Sequence, residues 1–372
     1  MSDFNFLKEF EKSVDKLEGV SSSAQPPKYW YSTGNFNLNK IISGSFFKGI
    51  PQGRITNFAG TSGVGKSFMT GNIIRSAQQS GAYVLLLDSE NALDNEFMGA
   101  IGCDTKNNYN YKSVTTIEHV IKIVSAFIKG YEKEYGVKSV DNVDAPQVLI
   151  AIDSLDMLST ASENDNFSKG IQKGDQGQRA KQLKAMLRSL VGGIKHHNIV
   201  ILTTSQVYQA TAEQMMQGEG QWIISNAIRY ALSQIVLLTK LKLRDENDRK
   251  NIRGIRMKCE GYKTRFTQPF QNVTVHVPYE TGMNPYSGLL DTLKGMDIVT
   301  SRGAWYYYQE GGVEVKFQKK TFISDGHADK LLQVAETRTD TFVEVTEPLE
   351  EDTSTESRAD LKERRKKAVA DS

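Results

Sequence analysis

The sequence predicts an α/β fold built on a mostly parallel central sheet, and three observations carry that prediction. Apolar runs of strand length recur at 55–59, 84–87, 148–152, 199–203 and 235–238. Amphipathic helical patterns lie between them, one with Ile117, Val120, Ile121, Val124, Phe127 and Ile128, another with Leu183, Leu187, Leu190, Val191 and Ile194. Strands that are apolar throughout and alternate with helices are covered on both faces. The third observation is Gly60-Thr61-Ser62-Gly63-Val64-Gly65-Lys66-Ser67, which follows the first run and opens a helical stretch at Phe68. Its pattern, G-x-x-x-x-G-K-[ST], wraps backbone N–H groups around phosphate oxygens.

Composition sets the frame for these elements. The chain has 372 residues, 39% hydrophobic and 24% charged, an ordinary globular balance with room for a sizeable core. Its formal charge of +2 is not that of a strongly basic nucleic-acid binder, but the total conceals segregation. Residues 240–265 carry ten Lys and Arg against four acids, and 336–356 carry eight acids against Arg338. Apolar residues at Leu241, Leu243, Ile252, Ile255 and Met257 mark the basic stretch as folded. Two cysteines, Cys103 and Cys259, are too few for a disulfide framework and fit a reducing cytoplasm. The start MSDFNFLKEF lacks the apolar stretch of a secretory signal, and no run approaches the ~18 apolar residues of a membrane span.

In chain order, 4–17 reads as a short amphipathic helix with Phe4, Leu7, Phe10, Val14 and Leu17 on one face. Residues 21–27, Ser-Ser-Ser-Ala-Gln-Pro-Pro, read as a linker. The expected organisation is an arm and linker at 1–30, an ATPase core at 31–280, a small α+β domain at 281–340 with an aromatic cluster at 305–308, and a disordered acidic-then-basic tail at 341–372. His196 and His197 are expected at a helix end, where positive charge favours the helix dipole.

The loop defines the chemistry around it. Lys66 is expected on the β/γ-phosphates, the Ser67 hydroxyl on Mg2+, and the helix N-terminus adds its positive end. Asp153 closes an apolar strand where ligands bind in parallel sheets and is expected to hold the metal through water. Hydrolysis also needs a group to orient or deprotonate water, and Glu90 or Asp88, just beyond the strand at 84–87, is placed for it. Gln206 closes another strand, where its amide can report the γ-phosphate to the following loop.

Taken together, these pieces resemble the RecA family of ATP-dependent strand-exchange recombinases over roughly residues 30–310. The match includes Tyr31-Ser-Thr-Gly34, Gly49-Ile-Pro-Gln-Gly53, Asp88-Ser-Glu-Asn-Ala-Leu-Asp94, Asn226-Ala-Ile-Arg-Tyr230, Lys263-Thr-Arg265 and Asn284-Pro-Tyr286. Pro285-Tyr-Ser-Gly-Leu-Leu-Asp291 and Gly303-Ala-Trp-Tyr306 are similar to the UvsX-like recombinases of T-even bacteriophages. The resemblance implies a RecA-like P-loop ATPase core using ATP and Mg2+, a filament on single-stranded DNA, pairing with homologous double-stranded DNA, and a docking arm for the adjacent subunit. A single-strand-binding protein and a loading mediator are implied partners, and a host-cell cytoplasm is implied if the protein is phage-encoded. It makes Glu90 the general base, Gln206 the γ-phosphate sensor, and Lys263 with Arg265 a basic pair lent by a neighbouring subunit. It places Phe68, Asp94, Phe97 and Tyr286 on the nucleotide, Phe97 as the ring stacked on adenine and Asp94 as the acid reading the base edge.

Two DNA-facing loops follow from the same resemblance, 162–178 and 207–225. Lys169, Lys173, Arg179, Lys181, Arg188, Val207, Trp222, Ser225, Asn226 and Arg229 are the expected contacts, gripping the backbone without reading sequence. The chain departs from the family pattern at Asn91, usually His, and at Ser225, usually Gly. Two other functions share such a core. A hexameric helicase would carry a large partner domain ahead of it, where about 30 residues are expected here. A non-catalytic mediator would not need Glu90, Lys66, Asp153 and Gln206 together.

Overall fold

The structure, a computed structural model, describes residues 5–14, 26–171, 177–216, 220–245 and 250–339. Residues 1–336 form one compact unit and 337–372 a second, of which only 337–339 are described, as the end of a helix. The tail expected to be disordered lies outside the described residues.

Eight strands make the central sheet. They are β1 (Ile55–Gly60), β2 (Tyr83–Asp88), β3 (Tyr109–Ser113), β4 (Val148–Asp153), β5 (Ile199–Ser205), β6 (Gln234–Arg244), β7 (Ile252–Lys263) and β8 (Asn272–Pro278). Their order is β8-β7-β6-β1-β5-β4-β2-β3. The first six in the chain run parallel, and β7 and β8 add as antiparallel strands. The basic stretch is therefore the β6–β7 hairpin, continuing the sheet past its parallel part.

Helices α1 to α11 are Asn5–Val14, Phe36–Ser43, Lys66–Gln79, Asn95–Ile101, Ile117–Tyr135, Ala161–Ser168, Gln178–Ile194, Ala212–Met216, Asn226–Ala231, Leu289–Gly295 and His327–Thr339. Leu38, Ile73, Ile74 and Met98, from α2 to α4, cover one sheet face; α5, α7 and α9 cover the other. Strand β2 shows why its sequence is unbroken: Val84 and Leu86 enter the first core, Leu85 and Leu87 the second. Each such burial is worth about 1.5–3 kcal/mol. A third core joins α10, α11 and a three-stranded antiparallel sheet (Thr300–Arg302, Trp305–Glu310, Val313–Gln318) to Phe46. Among the described residues no helix is long and apolar enough to cross a membrane.

Both expected DNA loops carry regular structure. Residues Ala161–Ser168 of the first form α6, started by a capping box in which Thr160 Oγ1 accepts from the Glu163 N–H and Glu163 Oε2 from the Thr160 N–H. The second is an antiparallel hairpin, Val207–Gln209 against Trp222–Ile224, with α8 between. The two histidines follow the end of α7, the helix end expected for them. His197 is buried, its Nδ1 2.8 Å from Ser139 Oγ and its Nε2 3.1 Å from Glu132 Oε1, so it ties α5 to the end of α7.

Candidate nucleotide site

The phosphate loop turns at the C-terminal end of β1. Gly60 has no room for a side chain: a Cβ there would lie 2.7 Å from Val64 Cγ1 and 2.8 Å from Leu238 O. Gly65, at φ 103°, is the N-cap of α3, a conformation that L side chains rarely adopt. Lys66 Nζ is folded onto the loop, donating to the carbonyls of Gly60 (3.0 Å) and Thr61 (3.2 Å). Burial pulls its pKa down, and Glu90, Asp153 and Asp156 oppose that shift.

Neighbouring parallel strands bring the acids to the same edge, in the crevice beyond their C-terminal ends. Asp88 and Asp153 are register partners on β2 and β4. Asp153 is buried, and one oxygen accepts from Thr204 Oγ1. Its other oxygen, Oδ2, is buried with no hydrogen bond. Burial pushes its pKa up, Thr204 and then Ser67 oppose the rise, and Glu90 and Asp88 add to it. Ser67 thus stands beside the carboxyl without satisfying Oδ2. A buried carboxylate with a vacant oxygen next to a loop serine is the donor set that a hard, oxygen-seeking cation takes, so the residues fit Mg2+.

Asp88 and Glu90 are separated by their partners. The Asp88 carboxylate accepts from the N–H groups of Glu90 (2.9 Å), Asn91 (2.8 Å) and Leu93 (2.9 Å), and from Tyr111 Oη. It builds the turn. Asn91 adopts φ 56° there, left-handed backbone that asparagine tolerates better than most residues. Glu90 is exposed, with Oε1 accepting from Ser154 Oγ at 2.7 Å.

Two residues that the sequence reading did not assign to the site belong to this edge. Asp156, half-buried after Asp153, accepts from the Gln206 N–H at 2.6 Å and from Tyr208 Oη at 3.2 Å. It thereby fixes the backbone of Gln206 at the end of β5. The only prior signal was an acid three residues beyond Asp153. Lys240, on β6, donates to Gly63 O at 2.7 Å and lowers the pKa of Lys66, so it supports the phosphate loop from outside. No sequence motif marks it.

Around the expected base, Asp94 caps α4, its Oδ1 accepting from the Phe97 N–H at 2.8 Å. Phe97 is half-buried against the first core, and Phe68 packs there too. Tyr286 is elsewhere. Its ring lies 5.3 Å from Phe36 and its hydroxyl bonds Asp329; burial, then Asp329, push its pKa up to about 12. These contacts place it in the C-terminal layer, which corrects its expected nucleotide role. The exposed aromatic near the loop helix is Tyr279, in a turn whose Gly282 would carry a Cβ 3.7 Å from Phe68 Cζ.

The expected DNA residues divide. Lys181 and Arg188 are exposed two turns apart on α7. Lys169 is exposed and paired with Asp165 at 2.6 Å. Lys173 lies outside the described residues. Arg179 turns inward, donating to the carbonyls of Leu158, Leu155 and Asp156, and Val207 is buried in the second core. Both are corrected from DNA contacts to structural members, because the 155–158 turn and the hairpin base need them. Trp222 is half-buried against the same core. Ser225 precedes α9, and Asn226 Oδ1 accepts from Arg229 Nη2 at 3.0 Å. Lys263 Nζ donates to Arg229 O at 2.8 Å, and Arg265 is exposed.

Residues 7–284 match the family model of the RecA N-terminal domain. Among similar proteins are Protein RecA of Clostridioides difficile, 27% identical over 75% of this chain and 73% of that one, and Protein RecA of Aquifex pyrophilus, 25% identical over the same shares. Protein RecA of Phytoplasma mali is 25% identical over 86% of this chain and 88% of its own.

Proposed function

The chain belongs to the RecA family, and from that premise we propose that it is a DNA-dependent ATPase that polymerises on single-stranded DNA and promotes homologous pairing and strand exchange in recombination and repair. One observation supports this above the rest: Lys66, Ser67, the vacant Asp153 Oδ2, Glu90 and Gln206 meet at one sheet edge. The finer assignment to a phage-type, UvsX-like member rests on Pro285 to Asp291 and Gly303 to Tyr306. A single-strand-binding protein and a loading mediator are proposed partners on the same family reasoning.

Mg2+-ATP, when bound, supplies a γ-phosphoryl group whose charge the metal already screens. Ser67 and Asp153 would hold the cation, and Lys66 would leave its loop carbonyls for the phosphate oxygens. Glu90, steered by Ser154, takes the proton of the attacking water. Gln206 senses the γ-phosphate, and the hairpin that follows carries the change to the DNA surface. Single-stranded DNA is expected to raise ATP turnover at least about tenfold, with helical filaments in electron micrographs. Turnover indifferent to DNA, or closed rings, would sink this reading.

Lys240 is proposed to hold the loop in shape. Lys240→Met is expected to raise KM for ATP about threefold to tenfold with kcat within about twofold, and Lys240→Arg to restore most of the loss. A KM equal to the parent's rejects that role.

A further inference from the structure

Strands β7 and β8 and the C-terminal layer line a cavity of about 770 Å³ that the nucleotide chemistry does not use. Three basic side chains share it: Arg256, His276 and Lys319. Arg256 and His276 are direct cross-strand partners, so both point to one face of the sheet. Lys319 comes from the turn that follows the C-terminal sheet. Among the described residues none of the three side chains makes a hydrogen bond or ion pair, and the lining acid, Asp291, lies in no ion pair with them. Three basic groups against one unpaired acid leave an excess of positive charge, and an anion reduces their repulsion.

The rest of the lining narrows the anion. Thr274, Ser287, Thr292 and Asn284 line the cavity as well, adding hydroxyl and amide groups to the cations. A many-oxygened anion uses such a set, and the planar fork of an arginine matches phosphate oxygens in pairs. The volume falls within the ordinary range for small-molecule sites. We propose that this cavity binds a phosphate group, held by Arg256, His276 and Lys319. The phosphate comes either from a free polyphosphate or nucleotide, or from a nucleic-acid backbone.

His276 is the natural reporter. Burial holds its pKa down, and Arg256 and then Lys319 hold it lower still. The other titratable groups facing it are the Asp291 carboxylate and the Tyr286 and Tyr306 phenols. A bound phosphate favours the imidazolium, so the His276 midpoint rises on binding. By linkage, affinity is greatest below the free-state pKa and weakens as pH rises from there through the bound-state pKa.

The test follows the His276 ring by NMR in the full-length protein, assigned with His276→Gln and titrated with inorganic pyrophosphate and separately with a single-stranded oligonucleotide. Pyrophosphate is expected to move the midpoint upward, with apparent affinity at least about tenfold weaker in Arg256→Gln and Lys319→Gln, both exposed positions. A response to the oligonucleotide alone, lost in the same variants, assigns the phosphate to the nucleic acid. No response to either probe overturns the proposal. So does a response that survives both substitutions, or one that vanishes in Lys66→Ala and therefore originates at the phosphate loop. The readout needs no ATP turnover, so its failure and that of the ATPase reading are distinguishable.

Discussion

Glu90→Gln is expected to bind ATP and single-stranded DNA as the parent does, and to hydrolyse ATP between about a hundredfold and ten-thousandfold more slowly. The substitution keeps shape and hydrogen bonding, since a glutamine oxygen still accepts from Ser154 Oγ, whose bond to Glu90 is 2.7 Å. It removes only the capacity to accept a proton from water. The rival carboxylate cannot substitute for it. Asp88 is buried, and its two oxygens already accept three backbone N–H groups and a phenol; recruiting it as a base would dismantle the turn that carries Glu90. Turnover with saturating ATP and DNA, alongside nucleotide binding by fluorescence, measures the effect. A rate equal to the parent's transfers the proton to another group.

The parts of this site that the sequence made legible share a physical cause. Strands β1, β2, β4 and β5 are buried on both faces, so their sequences are unbroken apolar runs, and the acids or polar groups ending them stand out. The phosphate loop is legible because its glycines answer to local backbone demands, at Gly60 and Gly65 above all. What escaped depends on partners far away in the chain. Strand β3, Tyr-Asn-Tyr-Lys-Ser, is a half-exposed edge with no apolar run. Strand β8 buries Val273, Val275 and Val277 and exposes or half-exposes the residues between them, an alternation that is easily taken for loop.

The same distinction governs individual side chains. Lys240 meets the loop only because β6 lies beside β1, 177 residues apart at the Gly63 contact. Helical periodicity shows Arg179 at the start of α7 but cannot reveal the three carbonyls that claim it. Tyr286 lies in a matching motif, yet its hydroxyl finds Asp329, 43 residues later. Motifs report chemistry held by local backbone; the assignments that failed were those that tertiary contacts decide.

Lys263→Ala is expected to lose DNA-stimulated turnover, and a second variant lacking its own hydrolysis is expected to restore it. The register is the argument for proposing that the lysine acts on a neighbour. Lys263 pairs with Ile235, and Ile235 with Asn57, three residues before Gly60. It therefore sits about 10 Å back along the strand direction and two strands across from its own phosphate loop. Its ammonium donates to Arg229 O, and burial, then Arg265 and Arg229, lower its pKa. A cation held with other cations there is set back from its own γ-phosphate, and the proposal is that it completes the site of a neighbouring subunit. Lys66→Ala removes the loop lysine and leaves Lys263 intact. In equal mixtures that assemble at random, about one interface in four pairs an intact loop with an intact Lys263, so turnover should recover to about a quarter of the parent value. Action within one chain predicts that the mixture stays as inactive as its components, because neither chain then carries a whole site.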